Sequence, residues 1–420
     1  MKHFPYKKTR MVVENIDLTD LSKSVGTPFY CYSLNSLEEN FRKVDESYKN
    51  NNLLICYSIK ANSNQSIIKT FSNLGCGADV VSLGELKRAI KENIPGNKIV
   101  FSGVGKNTNE INYALENDIL LFNVESLDEL QHLSSLAKNH GKVAPVAIRI
   151  NPDISAGENE KISTGKSQDK FGISWKDAIE VYNIASSLEG IEIKGIDIHI
   201  GSQINELEPF SRSFDCLSEI IKELKSKNFD IDIIDIGGGI GVDYKEKGKN
   251  LEIEKYFDLV SKKLGNLAKT IIVEPGRFLT AHSAVLITEI IYIKKSSSKN
   301  FVIVDAAMND FIRPSFYGAY HRVVPLVDNE QDEEGEEYDV VGPVCETGDF
   351  FVRDLHLKNP QKGDLLAILS VGAYGSVLSS NYNSRPTIPE VLVKDNQWEI
   401  IRKRIEVDEI IKRDIIPDWL

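Results

Sequence analysis

The sequence of 420 residues predicts a parallel (β/α)8 barrel followed by an all-β domain. Two observations support the prediction of a barrel. Between residues 53 and 280, eight apolar strand-like runs alternate with segments whose apolar residues recur at positions i, i+3 and i+4. Continuous apolar strands separated by helices indicate a parallel sheet covered by helices, and eight such units is the number that closes a barrel. A doubly wound open sheet is the alternative that this pattern leaves open.

The barrel elements follow one another in regular order along the chain. The predicted strands are 53–58, 78–81, 98–102, 119–124, 143–150, 193–200, 231–236 and 270–274. The helical segments between them include 83–92, 126–138, 175–188, 209–225 and 251–264.

The pattern changes after residue 280, where short strands and turn signals follow one another without long helices. The predicted strands are 284–294, 301–305, 338–344, 363–371 and 390–394. The opening segment 9–33 also consists of extended pieces, so we expect a barrel domain over 34–280 and a β domain over 281–420 to which 1–33 contributes. The acidic run 330–337 predicts a solvated hairpin tip.

Composition excludes several classes of function. There are 50 Lys and Arg against 62 Asp and Glu, and the formal net charge of −12 argues against capture of nucleic acid or an anionic membrane surface. No run resembles a secretory signal or a membrane span. The five dispersed cysteines form no C-x-x-C pair, and the seven histidines lack metal-ligand spacing, so we expect no metal site and a reduced, cytoplasmic protein.

Candidate functional residues stand where predicted barrel strands end, which is the functional face of such barrels. Lys60 follows the first strand, His199 the sixth, Gly237–Gly239 the seventh, and Glu274 and Arg277 the eighth. Singly, each has a structural explanation, such as a lysine that extends from a strand end into solvent. Together they suit pyridoxal phosphate, because a lysine can form the Schiff base, a carboxylate can keep the pyridine nitrogen protonated, and main-chain N–H groups can hold the phosphate.

With these residues in place, the chain resembles the fold type III, alanine-racemase-like decarboxylases that depend on pyridoxal phosphate. In the barrel the similarity rests on Tyr57-x-x-Lys60-Ala61-Asn62, Asp79-Val80-Val81-Ser82-x-Gly84-Glu85, His199-Ile200-Gly201-Ser202-Gln203, Gly237-Gly238-Gly239 and Glu274-Pro275-Gly276-Arg277. In the β domain it rests on Arg313-Pro314-x-x-Tyr317-x-x-Tyr320-His321, Gly342-Pro343-x-Cys345-Glu346-x-x-Asp349, Gly372-Ala373-Tyr374 and Tyr382-Asn383-x-Arg385-Pro386. The Arg313/Tyr317 block and Cys345-Glu346 are most similar to the branch that acts on diaminopimelate.

The resemblance implies a role for each residue. The implied cofactor-binding residues are Lys60, Asp79, His199, Ser202, Gly237, Gly238, Gly239, Glu274, Gly276, Arg277 and Tyr374. Lys60 would carry the cofactor, Glu274 would pair with its pyridine nitrogen and His199 would stack on its ring. Cys345 would return a proton to the α-carbon. The implied substrate-binding residues are Arg277, Arg313, Tyr317, Glu346 and Tyr374, with arginine on the carboxylate of a distal, D-configured centre and Glu346 on its ammonium group.

The implied activity is decarboxylation of meso-2,6-diaminopimelate to L-lysine and CO2, the last step of lysine biosynthesis, by a homodimer whose active sites are shared across the interface. Decarboxylases of ornithine, arginine, carboxynorspermidine or a glutamyl carrier protein remain alternatives within the fold, as does an isomerase. An inactive regulatory homologue is the alternative from another class. The sequence departs from the branch at Asn159, where the lid loop usually carries a histidine.

Overall fold

The computed structural model describes residues 2–156, 164–166, 168–248, 251–328 and 335–420. The chain divides into two units. The β unit comprises Met1–Leu37, Tyr244–Lys247 and Leu279–Leu420, and the barrel unit comprises Glu38–Asp243 and Gly248–Phe278. Asn159 and residues 330–334 of the acidic run lie outside the described residues.

The opening segment forms strands β1 (Tyr6–Lys7), β2 (Arg10–Val13) and β3 (Ile16–Asp17), helix α1 (Leu18–Val25) and strand β4 (Phe29–Ser33). The prediction of extended pieces alone is wrong for α1. Asp17 caps this helix, because its carboxylate accepts the N–H of Thr19 at 2.8 Å, and the helix buries Leu18 and Leu21. Its sequence is rich in Ser, Thr and Val, which are weak helix formers, so the cap and the packing decide its conformation.

The barrel unit contains the eight predicted strands, with ends that shift by one or two residues. In the described ranges its strands are β5 (Leu53–Ser58), β6 (Gly77–Val80), β7 (Ile99–Phe101), β8 (Leu121–Val124), β9 (Ala144–Asn151), the short β10 (Ile173–Ser174), β11 (Ile191–Ile198), β12 (Ile233–Asp235) and β13 (Thr270–Val273). All pairings are parallel, and β13 pairs with β5 while β8 pairs with β9. The sheet is therefore closed, which confirms the barrel and excludes the open sheet.

Helices alternate with these strands. Over the described residues they are α2 (Leu34–Ser47), α3 (Gln65–Asn73), α4 (Leu83–Lys91), α5 (Thr108–Glu116), α6 (Leu127–Asn139), α7 (Ala178–Ser187), α8 (Leu207–Ser226), α9 (Ile253–Leu264) and α10 (Arg277–Thr280). Side chains of Ser82, Asn107 and Ser126 cap α4, α5 and α6. No helix in the described ranges combines the length and apolar character that crossing a bilayer requires.

Side chains from the barrel strands form two successive layers. An apolar layer packs together from Cys56, Val100, Leu121, Ala147, Ile233 and Ile272. Side chains two residues apart on a strand point to the same side, so a second layer lies two residues nearer the carboxyl ends. It is polar and buried throughout: Ser58, Asp79, Ser102, Asn123, Arg149, Asp197, Asp235 and Glu274. We call this buried polar layer the polar floor of the barrel, and the apolar layer lies beneath it.

The β unit confirms the predicted all-β module. Its remaining described strands are β14 (Ala284–Lys295), β15 (Asn300–Val304), β16 (Val323–Pro325), β17 (Glu336–Val341), β18 (Phe350–Leu357), β19 (Leu365–Leu369), β20 (Glu390–Lys394) and β21 (Gln397–Arg402), with the short helices α11 (Arg313–Tyr317) and α12 (Val407–Ile411). The strand order is β18-β17-β15-β14-β4-β20-β21, and β19 pairs with β14 and β16. The sequence did not predict β16, β18 and β21, because β16 has only three residues and charged residues interrupt the apolar alternation of the other two.

Candidate active site

Lys60 stands on a single 3-10 turn, Ile59–Ala61, directly after β5. Its Nζ atom lies 2.9 Å from Oδ2 of Asp79, which is completely buried, whereas the lysine side chain is 36 % exposed. The hydroxyl of Ser58 donates to the same oxygen at 2.6 Å. A buried carboxylate therefore holds the lysine amine at the mouth of the barrel, where a small molecule can reach it.

Glu274 follows β13 and is only 5 % exposed. Its Oε1 atom accepts a hydrogen bond from Ser102 at 3.3 Å. Burial raises the pKa of Glu274 well above its usual range, and three neighbouring carboxylates, of Asp235, Asp79 and Asp197, raise it further. A cation beside Glu274 would stabilise its charged form, and a protonated pyridine nitrogen is such a cation. The chemistry of this carboxyl group therefore fits pyridoxal phosphate.

Asp235 connects the polar floor to the turn at Gly237–Gly239, which we call the glycine turn, by hydrogen bonds. One carboxylate oxygen accepts the N–H of Gly237 at 2.9 Å, and the other accepts from the amide of Asn123 at 3.0 Å. The same amide donates to Ser102 at 3.1 Å. Burial raises the pKa of Asp235 to about 6. Asp235 and Asn123 were not predicted as site residues, although each lies on a predicted barrel strand.

The main chain at Gly237–Gly239 packs too closely for side chains. A Cβ atom would lie 2.6 Å from Nδ1 of His199 at Gly237, and 2.3 Å from the carbonyl oxygen of Glu274 at Gly238. Gly237 and Gly239 also have φ values of +63° and +101°, in the left-handed region that favours glycine. The turn therefore brings bare main chain to the mouth of the barrel, as an anion-binding turn requires.

His199 is held as a neutral ring. Its Nδ1 atom accepts the N–H of Gly238 at 3.1 Å, so the ring proton resides on Nε2. Burial, Arg149 and Lys60 hold the pKa of His199 well below its usual range. The ring thus offers a flat, uncharged face and no acidic proton on Nδ1.

Arg277 and Ser202 form a pair at the same end of the barrel. The Ser202 hydroxyl accepts hydrogen bonds from Nε and Nη2 of Arg277, at 3.3 and 3.0 Å. Gly276 allows this segment to approach the lysine turn, since a Cβ there would lie 2.8 Å from Cβ of Ala61. The barrel unit therefore brings its predicted site residues together where its strands end.

A buried ion-pair group beside this site was missed by the sequence analysis. Arg149 donates from Nη1 to Glu125 at 2.7 Å, and its Nε lies 3.8 Å from Asp197. Glu125 also accepts the N–H groups of Gly103 and Gly172 at 3.0 and 2.9 Å. The available signal was a charged residue at the end of an apolar strand, the same signal that identified Lys60 and Glu274.

In the β unit, Cys345 and Glu346 lie on an exposed turn, and the Cys345 thiol is free. Buried Asp349 braces the turn by accepting the N–H groups of Val344 and Met308, each at 2.7 Å. Glu346 accepts a hydrogen bond from the Tyr382 hydroxyl. The turn is thus fixed from within while the side chains of Cys345 and Glu346 are exposed.

Two other predicted residues of the β unit, Arg313 and Tyr317, lie on α11. Arg313 is 6 % exposed and its guanidinium lies over the Tyr317 ring, 5.8 Å from the centroid. Ser315 links α11 to the exposed turn by donating to the carbonyl of Gly348 at 2.5 Å. Tyr374 has a φ of +56°, a strained value for a residue with a side chain. Within the described ranges, no group of three His, Cys, Asp or Glu residues could hold a metal ion.

The barrel residues coincide with a known family model. Residues 34–281 match the model described as "Pyridoxal-dependent decarboxylase, pyridoxal binding domain". This stretch carries the lysine, the buried carboxylates and the glycine turn, so the fold and the site define a pyridoxal-dependent decarboxylase.

Similarity over the full chain narrows the class. The chain is 42 % identical over 410 residues to the diaminopimelate decarboxylase of Aquifex aeolicus, covering 98 % of this chain and 97 % of that protein. Its structure is similar to that of diaminopimelate decarboxylase from Helicobacter pylori complexed with L-lysine, with a TM-score of 0.90, 42 % identity and coverage of 94 % and 98 % of the two chains. The structure of diaminopimelate decarboxylase from M. jannaschii in co-complex with L-lysine is also similar, with a TM-score of 0.94, 33 % identity and coverage of 99 % and 98 % of the two chains. The chain belongs to the diaminopimelate decarboxylase family.

Proposed function

We propose that this protein converts meso-2,6-diaminopimelate to L-lysine and CO2 with pyridoxal 5'-phosphate as its cofactor. The observation that carries the proposal is the Lys60 amine, held by Asp79 beside the buried Glu274, in a chain similar to diaminopimelate decarboxylases over almost its full length. L-Lysine retains the L centre of the substrate, so the carboxylate lost is that of the D centre. The distal centre is therefore L-configured, which corrects the expectation from the sequence.

In this proposal the barrel, over residues 34–280, holds the cofactor. When bound, the cofactor accepts the electron pair that the departing CO2 leaves behind. Lys60 would bind it covalently, and Glu274 would accept the hydrogen of its pyridine nitrogen and so keep that nitrogen charged. His199 offers its neutral face to the ring. The groups that would surround the phosphate are main-chain N–H groups of Gly237, Gly238, Gly239 and Gly276 and the side chains of Ser202, Arg277 and Tyr374.

The β domain, over 281–420 with 1–33, supplies substrate and proton-donor groups. Arg313 and Tyr317, together with Arg277 and Tyr374, bind the distal carboxylate, because a guanidinium matches a carboxylate with two parallel hydrogen bonds. Glu346 binds the ammonium group beside it. Cys345 returns a proton to the carbon that has lost CO2. A substrate without a distal amino-acid centre would need neither Arg313 nor Glu346.

We propose further that the protein works as a homodimer, in which Cys345 and Glu346 of one copy serve the barrel of the other. The support is the exposure of both residues on a single chain, on a turn that Asp349 keeps rigid.

The free cysteines support a reducing, cytoplasmic location.

Complementation tests the shared site. Mixing Lys60→Ala with Cys345→Ala under conditions that exchange subunits creates mixed dimers, each with one doubly damaged and one intact site. Random exchange of equal amounts should restore about a quarter of wild-type activity. Mass tagging confirms the exchange, and each variant treated alone is the control. Exchange without recovered activity would mean that Cys345 acts within its own chain.

The activity itself is tested by CO2 release from meso-diaminopimelate, LL-diaminopimelate, ornithine, arginine, lysine and carboxynorspermidine in parallel. Only the meso isomer should react, since the LL isomer has no D centre. Preference for ornithine, arginine or carboxynorspermidine would favour the alternative decarboxylases. A cofactor-loaded protein that releases CO2 from none of them would refute the proposed function and leave the carrier-protein decarboxylase, the isomerase and the inactive homologue. Lys60→Ala gives the background rate.

A further inference from the structure

Two side chains of the β unit, both without charge, accept hydrogen bonds from the guanidinium of Arg313. Its Nε atom donates to Nε2 of His321 at 3.2 Å, and its Nη2 atom donates to the hydroxyl of Tyr244 at 3.4 Å. The group also lies over the Tyr244 ring, 5.4 Å from the centroid. A carboxylate in the place of His321 would hold the guanidinium too, but it would cancel the charge that a ligand carboxylate needs.

His321 has one orientation and one protonation pattern that serve this contact. Its Nδ1 atom lies 3.0 Å from the carbonyl oxygen of Leu369, which can only accept, so Nδ1 carries the ring proton and Nε2 accepts from Arg313. The ring is 1 % exposed and packs edge-to-face against Phe311 and Tyr244, with centroids 4.6 and 4.9 Å apart. Both the tilt of the ring and its tautomer are therefore fixed.

We infer that His321 is a positioning residue for substrate recognition: it orients Arg313 so that the Nη1/Nη2 edge is directed to the distal carboxylate of the substrate. Arginine can pair with a carboxylate through either Nε and Nη2 or Nη1 and Nη2. Nε already donates to His321, so we assign the carboxylate to Nη1 and Nη2, and Nη2 has a second hydrogen besides the one that it donates to Tyr244. This inference rests on the proposed function, because it assigns His321 to the residue that binds the distal centre.

Two amide variants of different side-chain length distinguish a positioning role of His321 from a packing role. The amide of His321→Asn can replace Nδ1 toward Leu369 but is too short to reach Arg313. The amide of His321→Gln is one methylene longer and can offer its oxygen to Nε. Phe311→Leu disturbs the ring packing and leaves the hydrogen bond to Arg313 intact, so it is the packing control.

The ligands are L-lysine, which retains the distal carboxylate, and cadaverine, which lacks it. Both are titrated into the cofactor-loaded protein by calorimetry, and KM and kcat are measured with meso-diaminopimelate. In His321→Asn, L-lysine should bind about ten- to a hundredfold more weakly, as expected for a lost hydrogen bond to a charged group. Cadaverine affinity and cofactor absorbance should not change, and KM should rise more than kcat falls. His321→Gln should recover part of the loss, and Phe311→Leu should leave the affinity ratio of the two ligands unchanged.

Equal weakening of both ligands in His321→Asn, or wild-type affinity for L-lysine, would overturn the inference. If the Asn variant does not fold, His321→Phe keeps the ring volume and removes the same contact, and the same loss selective for L-lysine is expected. A wild-type protein that releases no CO2 from meso-diaminopimelate would refute the proposed function. An active wild type with unselective variants would refute only the role of His321.

Discussion

Adding one methyl group at Gly238 should damage the cofactor site. The Cβ atom of Gly238→Ala would lie 2.3 Å from the carbonyl oxygen of Glu274, about 1 Å short of ordinary contact. The two segments cannot simply separate, because the N–H of Glu274 donates to the carbonyl of Gly237 at 2.7 Å. Relief of the contact must therefore displace Glu274 or the glycine turn by about the same distance.

We expect Gly238→Ala to lose about 1–3 kcal/mol of unfolding free energy, the usual result of overpacking. Cofactor affinity should fall about ten- to a hundredfold, since a displacement near 1 Å disrupts positioned hydrogen-bond groups. Urea denaturation measures the first quantity and absorbance titration with pyridoxal phosphate the second. Gly105→Ala is the matched control in the same unit, because its Cβ would meet nothing within 4 Å. If Gly238→Ala binds the cofactor and unfolds as the wild type does, close packing at the glycine turn is not required for cofactor binding or for stability.

Three further predictions follow from single residues. Borohydride should fix the cofactor to the peptide that contains Lys60, and Lys60→Ala should abolish this label; mass spectrometry that finds it on another lysine contradicts the assignment. Cys345→Ala should lower kcat by about 10²- to 10⁴-fold with cofactor binding retained, and unchanged turnover would exclude Cys345 as the proton donor. Burial raises the pKa of Asp310 to about 7 from 3.8, so the native state binds this proton more tightly than the unfolded state and loses stability as pH rises from 4 to 7. Asp310→Asn should remove this pH dependence, a slope of up to about 1.4 kcal/mol of unfolding free energy per pH unit. If the denaturation midpoints of wild type and variant change equally with pH, this prediction is refuted.

The barrel and the positions of its candidate site residues could be predicted from the sequence, because their signals are local. A strand covered on both sides is written as a continuous apolar run, and a residue that follows such a run must lie at the carboxyl end of the barrel. Lys60 and Glu274 were found in this way. The three glycines of 237–239 were informative for the same reason, since only a close main-chain approach requires them together.

The tertiary structure alone decided which hydrogen bonds these residues make and how their pKa values shift. The polar floor joins Asn123, Ser102, Asp235 and Glu274 from four strands, and the raised pKa of Glu274 comes from burial among carboxylates far away in sequence. The tautomer of His199 depends on the N–H of Gly238, 39 residues along the chain.

The contacts of Arg313 show the same limit. Its hydroxyl partner on Tyr244 is 69 residues away, and the carbonyl that fixes the tautomer of His321 is 48 residues from that histidine. A sequence determines by itself what depends on neighbours along the chain: the strands, the turns and the residue types at strand ends. Hydrogen-bond partners, protonation and the direction of a guanidinium depend on distances between segments, and those distances exist only once the chain has folded.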